Sequence, residues 1–469
     1  MERMYHFMIR CIRFAKRKAK GLLRRIKKFL KIDSTIIIPD LYKIVTECMT
    51  EGIQTVTSEE IVDVIVPIYN GYDYLVKLFP TLNRTKLKCN IFLVDDCSTD
   101  SRVQELEKVF ADKNDNVVLL QNEQNYGFVK SVNKALMNTK NHVALVNTDT
   151  ELPNLWLERL MAPIFQDEKV ATSTPFTNSA TIYSFPDFCY NNAIYRGMSV
   201  DEIDRVFSKI KPRYVKAPTG VGFCMGMNKK AIAEIGGLDY ETFSKGFGEE
   251  NDWCQRAVRK GYSNVQVENL FVYHKHGGSF TSEEKEALIK NNVAIVNKRY
   301  PNYGNDVAAF IQKDVNKDIR QLAQMLLDMS MLGSKSKLYF DHNLGGGATA
   351  YLENQIKTEL KDGNACSVIR FRYSERDFLY EYYCGDTHWT YIFKTLEQFL
   401  EIQKWFHFDE VYVNELVTYH SIATTLNNIK ELAEKQRAKL VFLFHDYFAV
   451  CPTINLVGPD EIYCQFPDE

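Results

Sequence analysis

Between residues 60 and 150, short apolar runs alternate with amphipathic stretches, and every run stops at polar residues. The runs span residues 61–66, 91–94, 117–120 and 142–146. Their length and β-branched content predict buried strands. Residues 129–137 carry apolar positions at helical spacing and predict a helix leading into the last run. Strands alternating with helices in this way predict an α/β fold with a mostly parallel sheet covered on both faces.

A second alternation begins near residue 334. Residues 337–340, 367–371, 411–413 and 440–444 read as strands, with Gly345-Gly346-Gly347 opening a helix to about residue 360. Between the two blocks, residues 301–333 read as a helical connector with apolar positions Val307, Phe310, Ile311, Val315, Ile319, Leu322, Met325 and Leu326. The expected order is therefore a segment 1–31, a connector 32–59 with a helix near 41–49, an α/β domain 60–300, a helical linker 301–333, and a Rossmann-like half-module 334–469 that ends without a closing helix.

The first 31 residues change the picture of a near-neutral chain whose formal net charge is −2. Lys and Arg crowd this segment against a single acid, Glu2. Met4, Met8, Ile12, Ala15, Ala19, Leu22, Leu23, Ile26 and Leu30 fall on one helical stripe, opposite the basic residues. A helix docked on the protein's own core shows such a stripe too. A basic amphipathic helix on an anionic lipid surface accounts for both faces. No uninterrupted apolar core of a signal peptide is present, and no run reaches the ~18 residues needed to span a bilayer. The 11 cysteines are scattered without Cys-x-x-Cys spacing, which argues against a disulfide framework or zinc site and for a reducing cytosol. Nothing downstream supports nucleic-acid binding.

In an open α/β sheet, ligands sit beyond the carboxyl ends of the strands. The residues collected there are Tyr69, Asp95, Asp96, Asn125 and Asp149. An aromatic such as Tyr69 stacks on a planar base, and a carboxylate accepts from an imide N–H or ribose hydroxyls. Asp95 equally suits the turn that opens the next helix. The oxygen-rich end Asn147-Thr148-Asp149 suits a hard divalent cation and, through it, a diphosphate; an acidic turn looks the same. Further on, Lys216 to Gly226 reads as one small-residue strand that admits a close neighbour. Gly248-Glu249-Glu250-Asn251-Asp252 opens a helix. Glu249 and Asp252 suit its macrodipole, and Asp252 also suits a pair with Arg256. Glu250 shares a face with Cys254 and Ala257 and points inward, as a general base would. His274 and His276 alternate along a strand edge where a metal accepts an imidazole. There is no G-x-G-x-x-G and no Walker loop.

The ordered set Pro67-x-Tyr69-Asn70, Asp95-Asp96-x-Ser98, Asn147-x-Asp149, Gly220-x-Gly222, Gly248-Glu249-Glu250 and His274 resembles the family-two glycosyltransferases. The resemblance implies a GT-A fold and a nucleotide-diphosphate sugar as donor. It also implies Mn2+ or Mg2+ as cofactor, and inversion at the anomeric carbon. It assigns Pro67, Tyr69, Asp95, Asp96, Asn125 and Asn147 to the donor, and Asp149 and His274 to the metal with His276 as the alternative. It makes Glu250 the base and puts Gly220, Gly222, Glu249 and Asp252 on the acceptor side. Asn147 replaces the first aspartate of the metal motif, so one anionic ligand is missing. Glu250 stands where Asp is commoner, moving the proton acceptor by about 1.5 Å.

Residues 334–469 resemble the N-terminal half of a GT-B, family-four transferase, with the donor-binding second half absent. Together these likenesses imply a hexosyl- or deoxyhexosyltransferase of surface polysaccharide synthesis. It would act on a glycan or lipid-linked glycan at the cytoplasmic face of the plasma membrane. A sugar-nucleotide nucleotidyltransferase would need a basic Gly-rich loop after the first strand, which Pro67-Ile68-Tyr69-Asn70-Gly71 is not. A non-catalytic carbohydrate-binding scaffold would not need Asp149 and Glu250.

Overall fold

The computed structural model describes residues 38–243, 246–275 and 282–445. The expectations for residues 1–31, for His276 and for the end of the chain after His445 lie outside the described residues.

The first sheet has eight strands in a mixed arrangement. Strand β1 (Val62–Ile68) pairs in parallel with β2 (Cys89–Asp95), and β2 with β3 (Val117–Gln121). On its other side β1 pairs in parallel with β4 (His142–Val146). A two-stranded ladder joins β5 (Thr150–Glu151) to β10 (Tyr273–His274). The eight-stranded sheet continues through β6 (Val170–Phe176), β7 (Tyr214–Ala217), β8 (Cys224–Met227) and β9 (Ser263–Phe271), in the order β3-β2-β1-β4-β8-β6-β9-β7. Both faces of β1 and β4 are buried, which is why they read as near-continuous apolar runs rather than alternating ones. Pro67 costs no ladder bond to β4, because that pairing stops at Ile65.

One expected element is corrected. Lys216 to Gly226 is not one strand: β7 ends at Ala217, β8 starts at Cys224, and a loop from Pro218 lies between. Its glycines admit the protein's own atoms. A Cβ at Gly220 would stand 2.6 Å from the Met225 sulfur, and one at Gly222 would stand 3.0 Å from Glu250 Oε1.

The second sheet contains β11 (Ser336–His342), β12 (Ala365–Arg372), β13 (Asp377–Cys384), β14 (Thr387–Phe393), β15 (Glu410–Val413) and β16 (Lys439–Phe442). Their order is β14-β13-β12-β11-β15-β16. Four of these were expected; the antiparallel hairpin β13–β14 was not. The helix Gly347–Lys361 follows the glycine-rich turn as expected.

Between the sheets the connector forms two helices. Tyr303–Lys313 has no buried residue, whereas Lys317–Met329 buries Ile319, Leu322, Met325 and Leu326. These side chains share one apolar cluster with Phe207 and Phe271 from the first block and Leu338, Tyr380 and Phe399 from the second. At its end the buried Asp328 carboxylate accepts from Tyr195 and from Tyr382 (2.8 Å) and pairs with Arg196 (2.9 Å). The two sheets therefore meet across a continuous core.

Candidate active site

The carboxyl ends of β1 and β2 are organised by short polar side chains. After β1, Tyr69 is 41% exposed, with its ring free to stack. Asn70, at φ 56°, accepts the N–H groups of Thr99 (2.9 Å) and Asp100 (3.0 Å). Its own N–H donates to Ser98 Oγ (2.9 Å). Asp95 Oδ1 accepts the Ser98 N–H (2.9 Å), the turn its sequence suits. The Asp96 carboxylate accepts from the Tyr126 and Gly127 N–H groups (2.8 and 2.7 Å) and from the Asn122 amide (2.7 Å). Both aspartates are buried, and Asp96 shapes the loop that carries the exposed Asn125. Below them lies Glu107, whose carboxyl is pushed up to about 8 by burial and, second, by the charge of Asp95.

At the end of β4 the Asn147 N–H donates to the Phe223 carbonyl (2.9 Å), while its Oδ1 is buried with no donor to meet it. The short β5–β10 ladder sets Thr150 opposite His274, and the Lys275 N–H donates to the Asp149 carbonyl (2.8 Å). This register brings His274 Nε2 to 3.5 Å from Asp149 Oδ1. His274 Nδ1 is 3.0 Å from the Ser179 carbonyl, which only accepts, so Nδ1 is the donor there and Nε2 is the nitrogen turned to Asp149. The Phe223 ring stacks on the imidazole at 5.1 Å. Asn178 fixes the backbone of His274 with two hydrogen bonds of 2.9 Å.

This donor set suits a divalent cation. A carboxylate oxygen, an oriented imidazole nitrogen and an orphaned amide oxygen are hard-to-borderline ligands of the kind Mn2+ or Mg2+ accepts. Among the described residues no cluster of three His, Cys, Asp or Glu is present.

The helix Glu249–Arg259 follows Gly248, whose φ of 130° only glycine adopts readily. Glu250 Oε1 accepts the Gly222 N–H at 3.3 Å. Burial raises the proton affinity of both Glu249 and Glu250, more so for Glu249, which also feels the neighbouring charge of Glu250. Residues 222 and 223 link the parts: Gly222 meets Glu250, and Phe223 meets Asn147 and His274. Asp252 is not gathered with them. It is buried and committed to Arg256 (2.8 Å), Arg299 (2.9 Å) and the Tyr300 hydroxyl (2.9 Å), a pairing that its spacing from Arg256 anticipates. Gly220 packs against Met225 and Thr172.

Ser179, Asn178 and Phe223 were missed by sequence reasoning. Thr177-Asn178-Ser179 follows β6, whose centre is Thr172-Ser173-Thr174, so no apolar run marked where that strand ends.

Residues 63–236 match the model of glycosyl transferase family 2, so the chain carries a glycosyltransferase domain. The match contains Tyr69, Asp95, Asp96, Asn147 and Asp149 and stops before Glu250 and His274. No curated protein matches the chain. Among solved structures, GalNAc-T7 with UDP, GalNAc and Mn2+ aligns at 16% identity over 52% of this chain and 48% of its own, with a TM-score of 0.41. This chain thus spans about half the length of that structure. The mannosyltransferase PcManGT from Pyrobaculum calidifontis, with GDP-Man and Mn2+, aligns at 12% identity over 68% and 85%, with a TM-score of 0.41. S. aureus TarS 1-349 aligns at 15% identity over 57% and 86%, with a TM-score of 0.33.

Proposed function

We propose that this glycosyltransferase moves a sugar, with inversion, from a nucleotide-diphosphate sugar to a hydroxyl of a glycan or lipid-linked glycan, aided by Mn2+ or Mg2+. The observation that carries the reading is the Gly222–Phe223 link, which joins the Glu250 carboxylate to the Asp149–His274 pair. A base and a cation-binding pair beside one another are what such a transfer needs. Tyr69 stacks on the base of the donor, while Asp95, Asp96 and Asn125 shape the surrounding loops. Asp149 and His274 would hold the cation, with the unpartnered Asn147 Oδ1 two residues before Asp149; when bound, the cation would offset the charge of the departing diphosphate. Glu250 takes the proton of the acceptor hydroxyl as that oxygen attacks the anomeric carbon.

The test is release of free nucleoside diphosphate from a panel of sugar nucleotides, with Mn2+ and with excess chelator. No release from any donor ends the reading, and full release in chelator ends its metal part. Residues 1–31 are proposed to hold the enzyme on an anionic membrane surface during polysaccharide synthesis, each basic residue adding at most about 1 kcal/mol. Sedimentation with anionic vesicles that is lost in high salt supports this; equal binding to neutral vesicles refutes it. Among the described residues no helix is long and apolar enough to cross a membrane.

A further inference from the structure

A cleft of about 490 Å3 lies between the two blocks, and none of its lining residues belongs to the candidate active site. Its lining is oily at depth. Met49 and, from the helix Lys317–Met329, Leu326 and Leu327 are buried there. Nearer solvent it holds the half-buried Trp405 and, in the turn after that helix, Leu332, which is 90% exposed.

The charges that face this oily lining are mostly basic. Two of the cations are spent: Arg196 pairs with Asp328 (2.9 Å), and Lys404 pairs with Glu51. His407 lies 3.2 Å from Asp409. Two other cations are not spent. Arg205 and Lys209 stand four residues apart at the end of the helix Val200–Phe207, both exposed, and among the described residues neither is paired with a carboxylate. Glu202, the one acid in the lining, accepts instead from the N–H and the hydroxyl of Ser199, at 2.8 Å each.

Unpaired cations above an apolar floor fit a ligand with an anionic head and an apolar body. A free phosphate would leave the floor and Leu332 in water. The basic segment 1–31 is itself repelled by the rim, so it is a poor occupant. Where that segment joins the described residues does bear on the cleft. From Asp40 the helix Leu41–Cys48, ~12 Å long, leads directly to Met49 in the cleft lining. A surface that held residues 1–31 would therefore lie within reach of this opening.

We propose that the cleft binds the phosphate head of an anionic membrane lipid, with Arg205 and Lys209 on the phosphate and Leu332 and Trp405 against the acyl chains. The source of that lipid rests on reading residues 1–31 as lying on an anionic membrane surface. The cleft adds recognition of a single lipid head to a general attraction for surface charge.

The probe is dihexanoylphosphatidylglycerol below its micelle concentration, titrated into the full chain while tryptophan emission is followed. Trp156 and Trp253 are fully buried, so a blue shift on binding should come from Trp405 and vanish in Trp405→Phe. Arg205→Glu combined with Lys209→Glu should weaken binding by about tenfold or more, because a hydrogen bond to a charged group is worth roughly that factor. Transfer to a water-soluble acceptor should stay unchanged in the same variant. Zwitterionic dihexanoylphosphatidylcholine and inorganic phosphate should each bind far more weakly than the anionic lipid.

Equal binding of the two lipids, equal binding of inorganic phosphate, unchanged affinity in the double variant, or no response to any probe overturns the proposal. A monomeric lipid offers no surface, so the reading of residues 1–31 is tested apart from it. Sedimentation with anionic vesicles that fails while the short-chain lipid still binds would sink that reading alone.

Discussion

The carboxyl edges of the two sheets are built alike and used differently. Beyond the six-stranded sheet, the fully buried Asp341 accepts from Arg370 (3.0 Å) and from the Asn414 amide (2.8 Å). Arg370 also pairs with Glu381, and His445 pairs with Asn414 Oδ1 at 2.9 Å. Among the described residues there, Asp341, Arg370 and Glu381 are met by one another and by Asn414. Beyond the eight-stranded sheet, Tyr69 lies open, His274 Nε2 and Asp149 Oδ1 stand just too far apart for a good hydrogen bond, and Asn147 Oδ1 has no donor. Topology brings polar groups to both edges. A site needs, in addition, lone pairs and protons left unspent, and the first edge keeps them at Asn147, Asp149 and His274.

The largest effect expected from this contrast is at Glu250. Glu250→Gln should lower transfer by about 10² to 10⁴-fold with donor affinity unchanged, because loss of a general base acts on the acceptor step. Turnover and donor titration measure it, with Asp252→Asn as control. An inactive Asp252→Asn beside an active Glu250→Gln would reverse the assignment.

Next comes Asp149→Ala, which should remove the Mn2+-dependent part of nucleoside diphosphate binding by calorimetry, with His274→Ala losing less. If a second linkage survived Asp149→Ala in the whole chain, the six-stranded sheet would hold a working site of its own and the contrast would fail. Arg370→Ala sharpens the contrast from the other side. It strands a buried carboxylate, which costs about 3–5 kcal/mol of stability. Its melting temperature should drop while transfer per folded molecule stays unchanged.

The smallest effect concerns Glu107. Its folded value of about 8 lies above the ordinary 4.5, so the fold holds a proton that the unfolded chain releases. The stability this supplies is present below about pH 4.5 and is lost as pH rises through 8. Thermal melts from pH 5 to 8.5 should show a fall that Glu107→Gln flattens.

The strands that organise the first edge were legible because aliphatic, β-branched runs leave a plain signature, even in the edge strand β3, which was expected to be buried and is largely exposed. The run 142–146 coincides with β4, and the run 117–120 with β3 to within one residue. Helical spacing put Glu250 on the side of Cys254, where it meets Gly222, but did not reveal that Glu249 and Asp252 are buried more deeply than Glu250. The hairpin β13–β14 was overlooked because Phe378, Tyr380, Tyr382 and Tyr391 are aromatic rather than aliphatic. Gly385-Asp386 between the two strands is nonetheless a recognised two-residue turn signal. The contact between His274 and Asp149 was not legible as geometry. It depends on a two-residue ladder between segments more than a hundred positions apart, and local pattern does not encode such a pairing.

The helix Lys317–Met329 also bears on how the chain can be divided. Its side chains line one oily seam shared by both blocks, and Asp328 pins the seam with two tyrosines and an arginine. A cut made just before or just after this helix would leave a raw greasy face on at least one fragment, and fragments of that kind clump when expressed. Anyone transplanting one block onto another enzyme should carry the helix along and recess its exposed side with polar substitutions.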